Sequence, residues 1–455
     1  MTLMDKDYSA VVIGGSIAGL LAARVLADYF PKVTIIESDN LPLQPHARKG
    51  VPQSVQPHVL LAKGYRILEE LFPGIGDELV QAGALSIDWA REFHHYSHGG
   101  WNAIATTPSD VISLTCSRPL IEWSIRRRLA QLANVDFLDG KRVTGLGCDR
   151  STISGVYLQS SPGSPVEKFP AAFVADASGR RSQTPKWLQS QGFTPPTETI
   201  INPLLGYATR RYRSLDNQPE WKVMLVSQSP PHNPRLGYLA QIENGEWIAT
   251  LGGYGRDYPP VDDQGFLEFA RSLASPRFYE AIKNAEPISP IYAHRATANR
   301  LRHYDKIELP HNFIVLGDAV CALCPVYGQG MTVSALSAIV LRKWLRKEYT
   351  SSGVLKSSAF QKKLAKNNSL HWSLATSQDS LFLTTQGRRE VSNDGLLNWY
   401  TNRLLQLTNS DPHAHTQLIQ IVNLLRSPLQ LYHPKVIFRV VTTPNQRQLT
   451  TNATN

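Results

Sequence analysis

Cysteine is scarce: Cys116, Cys148, Cys321 and Cys324 are the only four thiols in 455 residues. That excludes a disulfide scaffold and points to a reducing compartment. Long hydrophobic runs are missing too, so no stretch is apolar enough to cross a bilayer as a helix. The apolar start, Val11 to Leu26, is broken by Gly14, Gly15 and Gly19, lacks a basic leader and runs on into Arg24 and Asp28, unlike a signal peptide. A soluble, cytoplasmic protein is expected. The histidine-rich stretch within Trp89 to Trp101 lacks metal-ligand spacing, so no metal site is expected. It either lines a pocket or forms an edge hairpin. Acidic residues are outnumbered, 37 against 47 lysines and arginines, for a formal charge of +10. Nucleic acid is one explanation of that excess, but no basic block interleaved with aromatics accompanies it, and surface lysines with arginines that hold anionic cofactors or substrates are the favoured reading, so no nucleic-acid partner is expected. There is no internal repeat. Apolar content of 42% excludes wholesale disorder, and the length implies two or three domains.

What is present begins with a β-branched run, Tyr8 to Ile13, which reads as a buried strand. Gly14-Gly15-Ser16-Ile17-Ala18-Gly19 then opens a helix through Leu26 to about Phe30, and Lys32 to Ile36 is a second strand ending at Glu37. This is a nucleotide-binding βαβ unit, with the acid about twenty residues past the glycines and placed to accept from a ribose hydroxyl. Ser16 replaces the usual second glycine; its small side chain still lets a pyrophosphate approach. NAD and FAD both suit the motif.

Phe313 to Leu336 is the second organising stretch: an apolar strand, Gly317-Asp318, a loop with Pro325, Gly328 and Gly330, then a small-residue helix. A strand, an acid at its end and a glycine-lined helix start suit a polar ligand that develops negative charge. A third turn, Asp176-Ala-Ser-Gly179-Arg180-Arg181-Ser182, follows a strand at Ala172 to Ala175 and reads as a phosphate- or ribityl-facing turn. Arg118 starts a long helix where its charge opposes the dipole, so either an anion binds there or it is a surface arginine. The proline-punctuated loop Pro42 to Pro57, with Arg48 and then His58, lies over something. From Gly206 the texture becomes β-rich, with Asn244-Gly245 as a hairpin turn and Asp262 or Asp263 capping a helix. After Leu345 the chain is helical and polar. Its basic run from Arg342 to Lys366 is either a solvated face or, with Trp344, Leu345 and Phe360, a membrane-surface helix.

The three turns, in this order, resemble the single-component FAD-dependent monooxygenases of the p-hydroxybenzoate hydroxylase fold. The phrases Arg48-Lys-Gly-Val-Pro-Gln53, Asp176 to Arg180, and Gly317-Asp318-Ala319 through Gly330 are similar to bacterial FAD-dependent oxidoreductases near the polyether-polyene epoxidases, and more distantly to squalene epoxidase. The resemblance covers roughly Tyr8 to Arg346. It implies an α/β fold: a doubly wound, Rossmann-like FAD-binding domain with an inserted β-sheet substrate domain and a helical C-terminal region. The corresponding division is 1–88, 111–185 and 291–346 for the FAD-binding parts, 89–110 for a substrate-side segment, 186–290 for the β-rich domain, 347–441 for the helices and 442–455 for a disordered tail.

By the same resemblance Gly14, Gly15, Ser16 and Gly19 cradle the FAD pyrophosphate and Glu37 takes the adenosine ribose. Arg48 and Arg118 hold the cofactor from two sides, and the backbone of Val143 meets adenine. Asp176 and Gly179 contact FAD or docking NAD(P)H. Gly317 and Asp318 meet the ribityl chain, and Pro325, Gly328 and Gly330 bring backbone N–H groups to the flavin pyrimidine edge. The implied chemistry is reduction by NAD(P)H, addition of O2 to give a flavin C4a-hydroperoxide, and oxygen transfer to a small hydrophobic unsaturated or aromatic substrate, by epoxidation or hydroxylation. No catalytic side chain is implied; His58 is either a structural loop histidine or a general acid. Cys321 and Cys324 read as small buried thiols. A flavin reductase or dehydrogenase of a prenyl or polyene substrate shares the fold, whereas a halogenase is disfavoured because no W-x-W-x-I-P stretch occurs near Trp187 or Trp221. A silent FAD- or lipid-binding protein in weak peripheral contact with membrane is the reading from another class.

Overall fold

The run Ser-Ala-Val-Val-Ile, with its last four residues buried, makes the central strand Ser9–Ile13 of a five-stranded parallel sheet. The computed structural model describes residues 8–214, 219–349, 353–389 and 395–443. The sheet order is Phe313–Val315, Phe173–Asp176, Ser9–Ile13, Lys32–Ile36, Val135–Leu138. Ile13 is level with both Asp176 and Ile36, and Asp176 with Val315. The glycine turn, Glu37, the Asp176 turn and Gly317 therefore leave the sheet at one edge, the carboxyl edge where open parallel sheets bind ligands. Two helices of small and apolar residues, Ile17–Leu26 and Gly330–Glu348, pack together against it.

A second sheet of seven strands runs Tyr292–His294, Gly206–Arg213, Glu246–Gly253, Arg235–Ile242, Val223–Val226, Phe93–Ser97, Gly100–Trp101. Its side chains alternate between two cores, as the strand period requires. Leu239, Ala249 and Leu251 face the helices Asp263–Arg271 and Arg277–Ile282, while Ala240 and Ile248 face Trp89 and Ala62. Asp262 is the cap of the first of those helices, accepting from the Gly265 amide at 2.8 Å. The histidine-rich stretch is an edge hairpin of this sheet, and Trp89 just before it lines a cavity. Tyr292–His294 pairs with Gly206–Arg213, so it belongs to this sheet and not to the first layer, where its sequence position put it.

The C-terminal region is less separate than its polar composition suggests. The helix Ser357–Asp379 buries Phe360, Leu364, Trp372 and Ala375 in the main core. Trp344, Leu345 and Phe360 are at most 1% exposed, so the apolar companions of the basic run are core residues and cannot enter a membrane. The helices Gly395–Leu407, Pro412–Val422 and Pro434–Thr442 gather around Tyr400, Leu404, Val436 and Val440. Of the tail expected from 442, Thr442 closes the last helix and 444–455 lie outside the described residues.

Candidate functional site

Gly14 leaves the central strand with φ of +103°, a region side chains avoid, and a Cβ there would sit 2.7 Å from the Ala177 carbonyl oxygen. Gly19 is tighter, its Cβ position lying 1.8 Å from the Gly14 oxygen. These two contacts bring the first helix up against the strand end, where its unpaired amides favour an anion. Gly15 donates its N–H to Glu37 Oε2 at 2.9 Å. Ser16 does not cap the helix; it donates to Glu122 Oε2 at 2.7 Å and accepts from Arg118 Nη2 at 2.8 Å.

Arg48, with a side chain 6% exposed, is the hub of three carboxylates: Glu122 at 2.8 Å, Glu37 at 2.9 Å and Asp39 at 3.2 Å. It also donates to the Gly15 carbonyl at 3.2 Å. Burial pushes the Glu37 carboxyl up, but Arg48 and the amides of Asp39 and Gly15 outweigh it and hold the group below its ordinary value. Arg48 and Glu37 thus brace the turn from behind. Arg118 retains donor capacity, because its buried Nε has no partner among the described residues. An unpaired buried guanidinium N–H beside a helix start fits a phosphate oxygen.

Gly317, at φ +63°, places its turn on the first helix, where a Cβ would lie 2.7 Å from that of Ala18. Asp318 follows with its side chain 39% exposed and 3.6 Å from Arg180 Nε. Gly328, also at φ +63°, lies on Val59, and Gly330 starts its helix in open space. Pro325 opens the single turn before Gly328. Val143 lies on the strand Arg142–Asp149, whose preceding residue, Lys141, donates to the Glu37 carbonyl at 3.0 Å. The fold therefore gathers Gly14, Gly15, Ser16, Gly19, Glu37, Arg48, Arg118, Gly317 and Asp318 at one helix mouth, with Val143 flanking it and Pro325 to Gly330 at the second helix mouth.

The Asp176 side chain is engaged within its own turn. Its side chain is 0% exposed and accepts from the Ser178 amide at 2.8 Å, Ser182 Oγ at 2.5 Å and Thr184 Oγ1 at 2.6 Å. The carboxylate closes its own turn, and Gly179, at φ +78°, supplies the reversal. The segment between Asp318 and Pro325 is likewise not all loop, because Cys321–Ala322 pairs as a short strand with Asn299–Arg302. Burial pushes the Cys321 thiol up to about 12 and the Cys324 thiol up as well, so both are protonated small core groups.

Between the 45–59 loop and the open face of the seven-stranded sheet lies a cavity of about 560 Å³. Val59, Trp89, Leu114, Tyr238, Ile248 and Tyr292 supply its apolar wall, and His58, Arg211 and Glu246 are among its polar groups. Ser54 Oγ and Thr115 Oγ1, also on its wall, are buried without partners among the described residues, which suits a ligand with a few polar atoms. Burial, with the charge of Arg118 second, drives the His58 imidazole down to about 3. His58 is therefore neutral at working pH, with Nδ1 2.9 Å from the Gln56 carbonyl. Sequence reasoning missed Glu122, Asp39, Arg211 and Glu246. Only Glu122 carried a signal, four residues after Arg118 on one helix face.

A family model described as an FAD binding domain matches residues 7–358. The chain belongs to that family. FAD is thus the cofactor of this flavoprotein, and the unpaired Arg118 donor, the two helix mouths and the glycine contacts fit it. Protein Rv3254 of Mycobacterium tuberculosis (strain ATCC 25618 / H37Rv) is 36% identical over 351 residues, covering 75% of this chain and 73% of that protein. Squalene epoxidase 2, mitochondrial, of Arabidopsis thaliana is 23% identical over 350 residues, which span 76% of this chain and 55% of the epoxidase. Among solved structures, p-nitrophenol 4-monooxygenase PnpA from Pseudomonas putida DLL-E4 matches with a TM-score of 0.62 at 17% identity, over 91% of this chain and 99% of that one. PqsL of P. aeruginosa in complex with 2-aminobenzoylacetate gives 0.61 at 16% identity, over 81% and 93%. The flavin-dependent brominase Bmp2 gives 0.64 at 14% identity, over 95% and 97%. At such identities the likeness is one of fold. The flavoprotein is an FAD-dependent oxidoreductase on the scaffold that FAD monooxygenases use.

Proposed function

We propose that this flavoprotein is a monooxygenase that transfers one atom of O2 to a small hydrophobic substrate, unsaturated or aromatic, with NAD(P)H as reductant. The cavity of about 560 Å³ carries this reading. A little over half of its wall is apolar, it is bounded by the loop whose Val59 supports Gly328, and the buried His58 on its wall is neutral at working pH. Bound FAD supplies the redox chemistry and the activation of O2. The chain's part is to position and to exclude water. In this reading Gly14 to Gly19 and Arg118 hold the pyrophosphate, Asp318 the ribityl chain, and the Gly330 helix start favours the charge of the reduced ring. Trp89, Tyr238 and Ile248 seat the substrate.

Anaerobic reduction with NADH or NADPH, followed by mixing with oxygenated buffer, is the test. The expected result is bleaching of the flavin and then oxygen uptake with hydrogen peroxide release in the absence of substrate. Reduction without productive oxygen consumption in the presence of unsaturated substrates would favour a reductase or dehydrogenase.

A second reading, weak peripheral contact with membrane, is favoured by a different surface from the basic run. Phe438, Val441 and Ile437 are 68%, 57% and 39% exposed on the last helix, opposite its buried Val436 and Val440. Lys435 and Arg439 lie beside them. Flotation with anionic liposomes at low salt, lost in Phe438→Asp, is the expected result; no flotation at low salt removes this reading.

A further inference from the structure

One buried carboxylate has no part in the site as described. Asp379, the last residue of the helix Ser357–Asp379, is 0% exposed beneath the segment that leads to Gly330. Its Oδ1 accepts from the Tyr327 hydroxyl at 2.6 Å and from the Tyr254 hydroxyl at 3.2 Å. Its Oδ2 accepts from Asn299 Nδ2 at 2.6 Å, and Asn299 Oδ1 in turn accepts from the Cys324 amide at 2.7 Å. One carboxylate therefore holds the segment at two points, Tyr327 directly and Cys324 through Asn299. Phe382, three residues on, stacks on Tyr254 with ring centroids 4.3 Å apart and closes the network from below.

Three donors converge on this group, which suits an ionised acceptor. Among the described residues no charged partner offsets its burial, and burial raises the carboxyl to about 6 in spite of those bonds. The titratable groups facing it are Tyr254, Tyr327, Tyr207 and Cys324; burial pushes each of them up, so all are neutral. Arg180 influences Cys324 but does not pair with Asp379.

We propose that Asp379 is a positioning residue that, when ionised, fixes the 324–330 segment against the flavin, and that its protonation loosens that segment. The proposal rests on the reading that Pro325, Gly328 and Gly330 face the flavin. Protonation turns one acceptor oxygen into a donor and leaves one of the three convergent donors without a partner. Because the carboxyl titrates above its ordinary value, the loosening falls in mild acid, as pH drops through about 6. Asp379→Asn imitates the protonated shape. Its amide cannot accept from all three donors: with the oxygen towards Asn299, the NH2 faces the Tyr254 and Tyr327 hydroxyls, which must turn from donating to accepting.

FAD release from the holoenzyme, followed by flavin fluorescence from pH 5.5 to 8, tests this. Wild type is expected to release FAD about tenfold faster at the acid end, in the range of ordinary coupling energies. Asp379→Asn is expected to release it about tenfold faster at pH 8 and with little pH dependence. Tyr327→Phe keeps the ring packing, removes only the hydroxyl, and should also speed release at pH 8; it decides the matter if Asp379→Asn does not fold. Wild-type release from both variants overturns the proposal, and so does an Asp379→Asn protein that keeps the wild-type pH step, since that marks a merely structural role. Asp318→Ala separates the two levels: if it loses FAD while both variants behave as wild type, only the positioning role fails. If it too retains FAD fully, the flavin-facing reading itself is wrong.

Discussion

Gly19→Ala is expected to yield protein that holds no FAD and unfolds at a clearly lower urea concentration than wild type. The added methyl would lie 1.8 Å from the Gly14 carbonyl oxygen and 3.0 Å from its carbon, well inside any contact distance. Gly14 has no room to yield. It stands at φ +103° with its own Cβ direction blocked by Ala177, and its amide is tied to the Ile36 carbonyl at 2.8 Å. Relief has to come from moving the helix Ile17–Leu26 outward, against a buried face that includes Leu20, Leu21 and Ala23 at no more than 2% exposure. Overpacking of this kind costs about 3 kcal/mol or more. The same movement takes the helix amides away from the pyrophosphate position, so stability and cofactor retention should fall together. A Gly19→Ala protein with full FAD content would refute the place given to this turn.

Arg48→Met is expected to be nearly as damaging, with a pH dependence that identifies the cause. Methionine fills much of the arginine's volume but leaves Glu37, Glu122 and Asp39 facing one another without their common cation, the first two with side chains at most 9% exposed. Breaking a buried ion pair by removing one partner costs about 3–5 kcal/mol. In wild type Glu37 lies below its ordinary value, so its contribution is present at neutral pH and is lost as pH falls through that lowered value. Without Arg48 the burial that already pushes Glu37 up dominates, and its carboxyl resists ionisation. The deficit, read from urea unfolding, should therefore be largest near pH 8 and shrink towards about pH 5 as Glu37 takes up its proton. A deficit independent of pH would mean lost packing alone.

Much of the flavin side was legible because each feature is local in sequence. Gly14 to Gly19 and Glu37 lie in one βαβ unit, and the β-branched strands on either side are buried as their composition requires. The Gly317 to Gly330 segment was equally readable as strand, acid and helix start. What sequence spacing concealed is which acids face outward. Asp176 and Asp318 each follow an apolar strand, yet the first is sealed by Ser182 and Thr184 while the second stays 39% exposed. Nothing in either phrase distinguishes them, since the difference lies in hydroxyls that fold back from six and eight residues on.

Long-range partners were invisible for a similar reason. Arg48 meets Glu122 across 74 positions, and Asp379 reaches Tyr254 and Asn299 from a helix whose sequence looks solvated. The basic run misled because charge content says nothing of the face beneath it. Trp344 and Phe360 read as membrane-seeking companions and are core residues 5.4 Å apart, ring to ring.

The central claim is that FAD occupies the crevice where the Gly14 turn, Arg118, Asp318 and the Gly330 helix start converge. The most direct measurement is the bound flavin of the purified protein, read from its visible spectrum and from FAD released on denaturation, in wild type and in Asp318→Ala. Close to one FAD per chain in wild type and a marked loss in the variant are the predicted results. A colourless wild-type protein that takes up no added FAD, or an Asp318→Ala protein with undiminished flavin, would contradict it.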